Sequence, residues 1–132
     1  MKAIEILIVT RSVVLQQGLG ALIESLPEVA SVKAVKDLSS AYAWIEEHQP
    51  QMVFLDEDMP GKNTKASLEK IRSLSPDTQR ALLANDIQEV NLLLTHTEAV
   101  LIKGASPSVI TTIITNLLST KGEKNEPNDD SN

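Results

Sequence analysis

One short segment near the middle of the chain constrains the fold more than any other. Residues 52–55 are apolar and lead at once into three carboxylates and a Met-Pro-Gly turn: Asp56-Glu57-Asp58-Met59-Pro60-Gly61. An apolar run bounded by turn residues predicts a strand buried on both faces, as in a parallel sheet. Because ligands gather at the carboxyl ends of parallel strands, Asp56 is the first residue for which we expect a functional role.

Apolar runs of this kind alternate with segments of helical periodicity along the chain. The sequence predicts five strands: Ala3–Val9, Val29–Val35, Met52–Asp56, Arg80–Ala84 and Ala99–Ile102. A helix follows each strand, and the predicted N-caps are Ser12, Ser39 or Ser40, Thr64, and Ser106 with Pro107 at the first helical position; the fourth helix spans Asp86 to about Leu94. The alternation predicts an α/β, flavodoxin-like (βα)5 three-layer sandwich with a parallel sheet in the order 2-1-3-4-5.

The length of the chain predicts one domain over residues 1–120. The last helix is expected to end at about Thr120, and the polar segment from Lys121 to Asn132 is predicted to be disordered, either as a tail or as the start of a linker.

Composition excludes several classes of protein. The chain has no cysteine, so it has neither disulfides nor a thiolate metal site, and His48 and His96 are too far apart for a metal-ligand motif. We expect His96 to be a surface residue. The sequence contains no apolar run of membrane-spanning length and no signal-peptide pattern, so a cytoplasmic protein is expected. The formal net charge of -6 opposes binding to nucleic acid by this domain.

Two strand ends carry a resemblance to a known family. The segment 53–61 is similar to the phosphoacceptor strand and loop of response-regulator receiver domains in two-component signalling. The segment 100–107 is similar to that family's lysine-bearing strand and the start of its last helix, and the first strand and helix resemble the subfamily with DNA-binding output. The resemblance spans Ile4 to about Ser119. It implies that Asp56 occupies the phosphoacceptor position and that Lys103 is the lysine that pairs with it.

The chain also departs from the family pattern. Thr10 and Arg11 stand where working receivers have two acidic residues that hold Mg²⁺. By the same alignment, Ala84 replaces the hydroxyl residue that contacts the phosphoryl group, Val100 replaces the switch aromatic, and the segment between Ala84 and Lys103 is short. These departures imply a degenerate receiver, or pseudo-receiver. Binding of Mg²⁺ is not expected, and Asp56 and Asp58 are only weak candidate ligands.

The cation at position 11 suggests a direct partner for Asp56. A guanidinium can pair with a carboxylate through two hydrogen bonds, so we hypothesise that Asp56 lies between Arg11 and Lys103 in an internal ion-pair cluster. The alternative is that Arg11 points into water and that Asp56 is a structural carboxylate paired with Lys103. Glu57 and Asp58 are expected to lie in a solvated loop.

The favoured function is a protein-interaction module that signals without phosphorylation or Mg²⁺; we expect no enzymatic activity and assign no catalytic residue. Its partner, another protein or a second copy of the chain, is expected on the face made by the predicted fourth helix, the fifth strand and the last helix. The exposed part of that face is expected among these residues: Leu92, Leu93, Leu94, Val109, Thr112, Ile113 and Asn116.

Two other functions remain open. In the first, Asp56 accepts a phosphoryl group from a histidine kinase, as part of a phosphorelay or of the regulatory half of a transcription factor. In the second, the fold binds a flavin or nucleotide. The latter is disfavoured because no Gly-rich loop follows the first strand and the chain has only three aromatic residues, Tyr42, Trp44 and Phe54.

Overall fold

Five parallel strands form the centre of the molecule. The computed structural model describes residues 4–59, 63–86 and 97–124, with side chains to residue 119. The strands are β1 (Ile4–Val9), β2 (Val29–Val35), β3 (Met52–Asp56), β4 (Gln79–Ala84) and β5 (Ala99–Ile102). Their order in the sheet is β2-β1-β3-β4-β5, and every neighbouring pair is parallel. This confirms the predicted flavodoxin-like topology.

Four helices are described around the sheet. They are α1 (Val13–Glu24), α2 (Leu38–His48), α3 (Thr64–Leu74) and α4 (Pro107–Lys124). The helix predicted over residues 86–94, together with Leu92, Leu93, Leu94 and His96, lies outside the described residues apart from Asp86. No helix in the described part of the chain is both long and apolar enough to cross a membrane.

The sheet has a hydrophobic core on each face. Alternate residues of β1 point to opposite faces, so that Ile6 and Ile8 enter one core while Leu7 and Val9 enter the other. The first core is closed by α1 and α4, and the second by α2 and α3. Every residue of β3 is buried, as the continuous apolar run of its sequence predicts. The carboxyl end of β3 therefore emerges between the two helical layers.

Among the first three helices, the N-caps match the prediction in one case and correct it in two. Ser12 caps α1 as predicted, since its hydroxyl accepts a hydrogen bond from the amide of Leu15. The predicted caps of α2 and α3 are wrong: Asp37, rather than Ser39 or Ser40, caps α2, and Asn63, rather than Thr64, caps α3. In both helices an earlier side-chain oxygen reaches the amide three residues on, which is the geometry that a cap requires.

The last helix begins as predicted and ends later. Pro107 is its first residue, and the hydroxyl of Ser106 accepts a hydrogen bond from the amide of Val109. The helix continues to Lys124 instead of ending at about Thr120, so residues 121–124 are helical rather than part of a disordered tail. The remaining residues of the predicted tail, 125–132, lie outside the described residues.

Candidate functional site

The carboxyl ends of three strands meet at one edge of the sheet. Asp56 is the last residue of β3, Thr10 follows β1, and Lys103 follows β5. The pairing of Val9 with Leu55 brings the residue after β1 beside the end of β3. The side chains of Thr10, Asp56 and Lys103 meet at this end of the sheet. The sequence predicted the pairing of Asp56 with Lys103, but it paired Arg11, rather than Thr10, with the other side of Asp56.

The carboxylate of Asp56 is nearly enclosed and accepts hydrogen bonds at both oxygens. Its exposed fraction is 4%. The Thr10 hydroxyl donates to Oδ2 at 2.7 Å, and the amide of Asp58 donates to Oδ1 at 2.9 Å. The ammonium of Lys103 lies 2.5 Å from Oδ1. A buried carboxylate is costly unless it is paired and hydrogen-bonded, and these three donors supply both kinds of compensation.

Lys103 connects two carboxylates. Its Nζ lies 2.9 Å from Oδ2 of Asp58 in addition to its contact with Asp56. Burial by itself would lower the pKa of Lys103, but hydrogen bonds to Asp56 and Asp58 and their negative charges outweigh burial and raise that pKa above its ordinary value. The lysine is therefore held in its charged form, and it bridges the end of β3 to the loop that follows.

Arg11 is not part of this cluster, so the predicted Arg11–Asp56 ion pair is wrong. Arg11 is exposed, and the described donors to Asp56 are Thr10, Asp58 and Lys103. The chain leaves β1 after Val9 and bends at Arg11. Once the side chain of Thr10 turns inward to Asp56, that of Arg11 faces outward, and the place expected for the guanidinium is taken by a hydroxyl.

Asn85 is a member of the site that the sequence did not indicate. It follows β4, and its side-chain amide donates to both oxygens of Asp58, at 3.0 and 3.3 Å. Its backbone amide donates to Oε2 of Glu57 at 2.6 Å. Glu57 and Asp58 lie in a partly exposed turn, as expected, but both also bind Asn85 at the end of β4. The signal available in the sequence was that Asn85 follows a strand adjacent to β3.

Ala84 and Val100, at the positions implied for the hydroxyl residue and the switch aromatic, pack among apolar neighbours. Ala84 is fully buried at the end of β4, opposite Ile102, and brings only a methyl group to this edge of the sheet. Val100, at the position implied for the switch aromatic, is partly buried and packs against the cluster of Leu82 and Ala84. Neither residue can donate a hydrogen bond from its side chain to a group at Asp56.

The donor set at this edge does not fit Mg²⁺. This ion prefers octahedral oxygen ligation with help from carboxylates. Here Thr10 donates its hydroxyl proton to Asp56, and Lys103 is bound by both Asp56 and Asp58. Within the described ranges, no group of three or more histidine, cysteine, aspartate or glutamate side chains is placed to hold a metal. In this arrangement the ammonium of Lys103 is the cation that the carboxylates bind.

There is also little space beside Asp56 on the α3 side. A cleft lined by Asp56, Met59, Asn63 and Ser67 has a volume of about 10 Å³. That is roughly the space of one water molecule. The carboxylate is thus packed as a structural group on this side.

A second ion pair lies at the opposite edge of the sheet. Arg80 at the start of β4 is almost fully buried, and its Nη2 lies 3.0 Å from Oε2 of Glu98, just before β5. Its Nη1 donates to the carbonyl of Leu68 at 3.2 Å. Burial would raise the pKa of Glu98, but the hydrogen bonds and charge of Arg80 outweigh it and hold that pKa below its ordinary value. The pair fastens β5 and α3 to β4.

A five-stranded parallel sheet with carboxylates at the carboxyl end of its central strand is typical of flavodoxin-like α/β proteins. Comparison with known families identifies the family. The family model for the response regulator receiver domain matches residues 6–115. The chain therefore belongs to the response regulator receiver domain family, as its resemblance predicted. A search of curated proteins found no significant match.

Solved structures show the same fold. The response regulator domain of Thermotoga maritima CheB is 18% identical, with a TM-score of 0.73 over 92% of this chain and 98% of that one. The chemotaxis response regulator CheY4 of Vibrio cholerae is 16% identical, with a TM-score of 0.76 over 88% and 99%. A LuxR-family two-component response regulator from Aurantimonas sp. is 20% identical, with a TM-score of 0.74 over 89% and 87%.

Proposed function

We propose that this receiver domain is a protein-interaction module whose signalling depends neither on phosphorylation of Asp56 nor on Mg²⁺. One observation carries the proposal: both oxygens of Asp56 already accept hydrogen bonds from Thr10, Asp58 and Lys103. The carboxylate is neutralised within the protein. It therefore resembles a structural group more than a nucleophile awaiting its substrate.

The chemistry of phosphoryl transfer supports this proposal. Transfer to a carboxylate brings two anionic groups together, so it relies on positioning and on neutralisation of charge by metal ions. The positions that supply metal-binding carboxylates in working receivers hold Thr10 and Arg11. Lys103 supplies one positive charge, which Asp56 and Asp58 already share. Among the residues that the structure describes, Lys103 is thus the one cation bound at Asp56, and the reaction would need a second source of positive charge.

The proposal also covers location and partners. We place the domain in the cytoplasm, without enzymatic activity of its own and with a protein as its partner. Its net charge of -6 disfavours contact with nucleic acid, because phosphates would be repelled.

A second function is favoured by one observation, the pairing of an aspartate at the end of β3 with a lysine after β5. Nζ of Lys103 lies 2.5 Å from Oδ1 of Asp56, and the family resemblance assigns these two residues to the phosphoacceptor and its lysine. In this alternative a histidine kinase phosphorylates Asp56, and the domain regulates an output domain such as a DNA-binding domain. The alternative needs Thr10 and Lys103 to release Asp56 before transfer.

A labelling experiment separates the two functions. The wild-type protein is incubated with acetyl phosphate and Mg²⁺, and its intact mass is measured over time. We expect the wild type to gain no phosphoryl group. The double variant T10D/R11D restores two acids to the end of β1, and it is expected to become labelled on Asp56.

The matched control is the same double variant with Asp56→Asn, which should lose the label. Labelling of the wild type that disappears in its Asp56→Asn variant would establish the phosphoacceptor function instead.

A further inference from the structure

The outer edge of β2 presents backbone groups that no described strand pairs. β2 lies at the end of the sheet, and β1 is its one partner strand in the described part of the chain. The carbonyl of Val35 accepts a hydrogen bond from the amide of Thr10 at 3.1 Å, so the backbone groups of Val35 point toward β1. Because these groups alternate in direction along a strand, those of Val32 and Ala34 point to the outer edge.

This edge is regular from Ser31 to Val35. The register of β2 against β1 shifts once, between Ile4 and Glu5, and pairing is continuous after that point. The outward groups of Val32 and Ala34 are therefore spaced as in an ordinary strand, about 6.6 Å apart. An extended peptide carries its own amides and carbonyls at the same spacing, so the edge is complementary to a backbone in strand conformation.

A groove beside the edge can receive side chains of an added strand. The groove lies between α1 and β2 and has a volume of about 240 Å³. Val32 and Ala34 of the edge line it, together with Gly20 and Glu24 of α1. Residues directly opposite each other in neighbouring strands have side chains on the same face. The residues of an added strand beside Val32 and Ala34 would thus enter the groove, where Glu24 disfavours a carboxylate and an apolar side chain fits.

The other face of the edge carries a positive charge. Lys33 is exposed and alternates with Val32 and Ala34, so its side chain lies on the face of Val35, which packs against the core closed by α2 and α3. β2 contains no acidic residue. Antiparallel pairing with the β2 of a second copy would bring two ammonium groups together, and lysines on edge strands disfavour such pairing. A carboxylate opposite Lys33 would instead be stabilising.

We propose that the outer edge of β2 binds an extended acidic segment of a partner protein as a sixth strand. Apolar residues of that segment pack over Val32 and Ala34, and a carboxylate between them pairs with Lys33. This inference rests on the proposed function, because it names the class of partner that the interaction module binds. The surface differs from the one expected from the sequence, which placed the partner on the predicted fourth helix, the fifth strand and the last helix.

The capped peptide Val-Thr-Val-Glu-Val-Thr-Val is the probe, added to the full chain without Mg²⁺ or phosphodonor. Amide hydrogen exchange is followed by NMR. The amides of Val32 and Ala34 should exchange fast in the free protein and about tenfold more slowly when the peptide is present at ten times its Kd. The amides of Lys33 and Val35 point toward β1 and serve as the internal reference, since the peptide should change their exchange little.

A filled groove tests where the side chains of the peptide go. Gly20→Leu places a side chain in the groove, and its Cβ would meet Cδ1 of Ile8 at 3.9 Å, an ordinary contact. Leucine is also a better helix former than glycine, so α1 should stay folded. Binding should weaken at least about tenfold, as for one valine side chain left in water. Gly18→Leu, on the same helix but outside the lining of this groove, is the matched control and should bind as wild type does.

A charge exchange tests the role of Lys33. The wild type should prefer the glutamate peptide to the same peptide with a central lysine by about two- to fivefold, the range for a cross-strand charge pair. Lys33→Glu should reverse this preference. Lys65→Glu, at an exposed position of α3, makes the same change elsewhere and should not reverse it.

Three results would overturn the proposal: no saturable binding at millimolar peptide, equal losses in Gly20→Leu and Gly18→Leu, or a peptide preference that Lys33→Glu leaves unchanged. Protection of the Val32 and Ala34 amides that rises with protein concentration alone would also overturn it, since the edge would then pair with a second copy. None of these readouts depends on phosphorylation, so failure here is distinct from failure of the labelling test.

Discussion

The hydroxyl of Thr10 donates a hydrogen bond of 2.7 Å to Oδ2 of Asp56, joining the ends of β1 and β3. The same hydroxyl accepts a hydrogen bond from the amide of Ser12 at 3.1 Å. One side chain therefore ties the aspartate to the N-cap of α1. Without a metal ion, an acidic residue at this position would repel Asp56, whereas the threonine hydroxyl supplies the described hydrogen bond to Oδ2.

Replacing the hydroxyl of Thr10 tests how much this contact stabilises the fold. Thr10→Val keeps the shape of the side chain and removes the donor to a buried carboxylate. We expect the free energy of unfolding to fall by about 1.5–3 kcal/mol, the usual range for a hydrogen bond to a charged group. Urea denaturation measures it. Thr112→Val on the exposed surface of α4 is the control, and an equal loss in both variants would contradict the assigned role.

Removing the ammonium of Lys103 should leave Asp56 buried with one cation fewer. Because the Lys103 side chain is 22% exposed, the loss for Lys103→Met should be at or below the low end for a buried pair, about 2–3 kcal/mol. The double variant D56N/K103M should recover part of this loss, since the neutral amide no longer needs the cation. Lys36→Met, at an exposed position, is the control. If the loss of stability in the double variant equals the sum of the losses in Asp56→Asn and Lys103→Met, the two side chains are not coupled.

The pKa of Lys103 gives this contribution a defined dependence on pH. That pKa is raised above the ordinary value of 10.5 by the neighbouring carboxylates. A raised lysine pKa means that the stabilisation is complete below 10.5 and is lost as the pH rises through the folded-state value. The difference in unfolding free energy between wild type and Lys103→Met should therefore stay level from neutral pH to about pH 10 and shrink above it. A difference that already shrinks near neutral pH would be inconsistent with the raised pKa.

The contribution of Glu98 to stability should depend on pH in the acidic range. Its pKa is held below the ordinary value of 4.5 by Arg80. A lowered carboxyl pKa means that its stabilisation is present above 4.5 and is lost as the pH falls through the folded-state value. Wild type should thus be more stable than Glu98→Gln at neutral pH, and the two should converge in acid. Glu46→Gln, on the exposed surface of α2, is the control and should show no such convergence.

Much of the fold could be predicted because its signals are local. The apolar run before Asp56 marks β3, and the bounds predicted for β2, β3 and β5 match the structure. The N-caps of α2 and α3 are not specified by residue type alone. Asp37 and Ser39 are both good capping residues, and the choice between them depends on where the chain turns out of β2 rather than on residue type.

The site was predicted less well because it depends on the direction of side chains at strand ends. The sequence identifies Asp56 and Lys103 through the order of strands. It does not reveal that Thr10 turns inward and Arg11 outward, because that follows from how β1 meets β3. The role of Asn85 was missed for the same reason, since its contact with Asp58 depends on the packing of β4 beside β3.

The central claim is that protein donors already occupy Asp56, and titration with Mg²⁺ tests it most directly. The amide of Asp58 donates to Oδ1 of Asp56, and the ammonium of Lys103 contacts the same oxygen, so the amide NMR resonances of these two residues report on changes at Asp56. In the wild type we expect no saturable shift of these resonances at millimolar Mg²⁺, whereas the variant T10D/R11D should show one. A saturable shift in the wild type that Asp56→Asn abolishes would contradict the account.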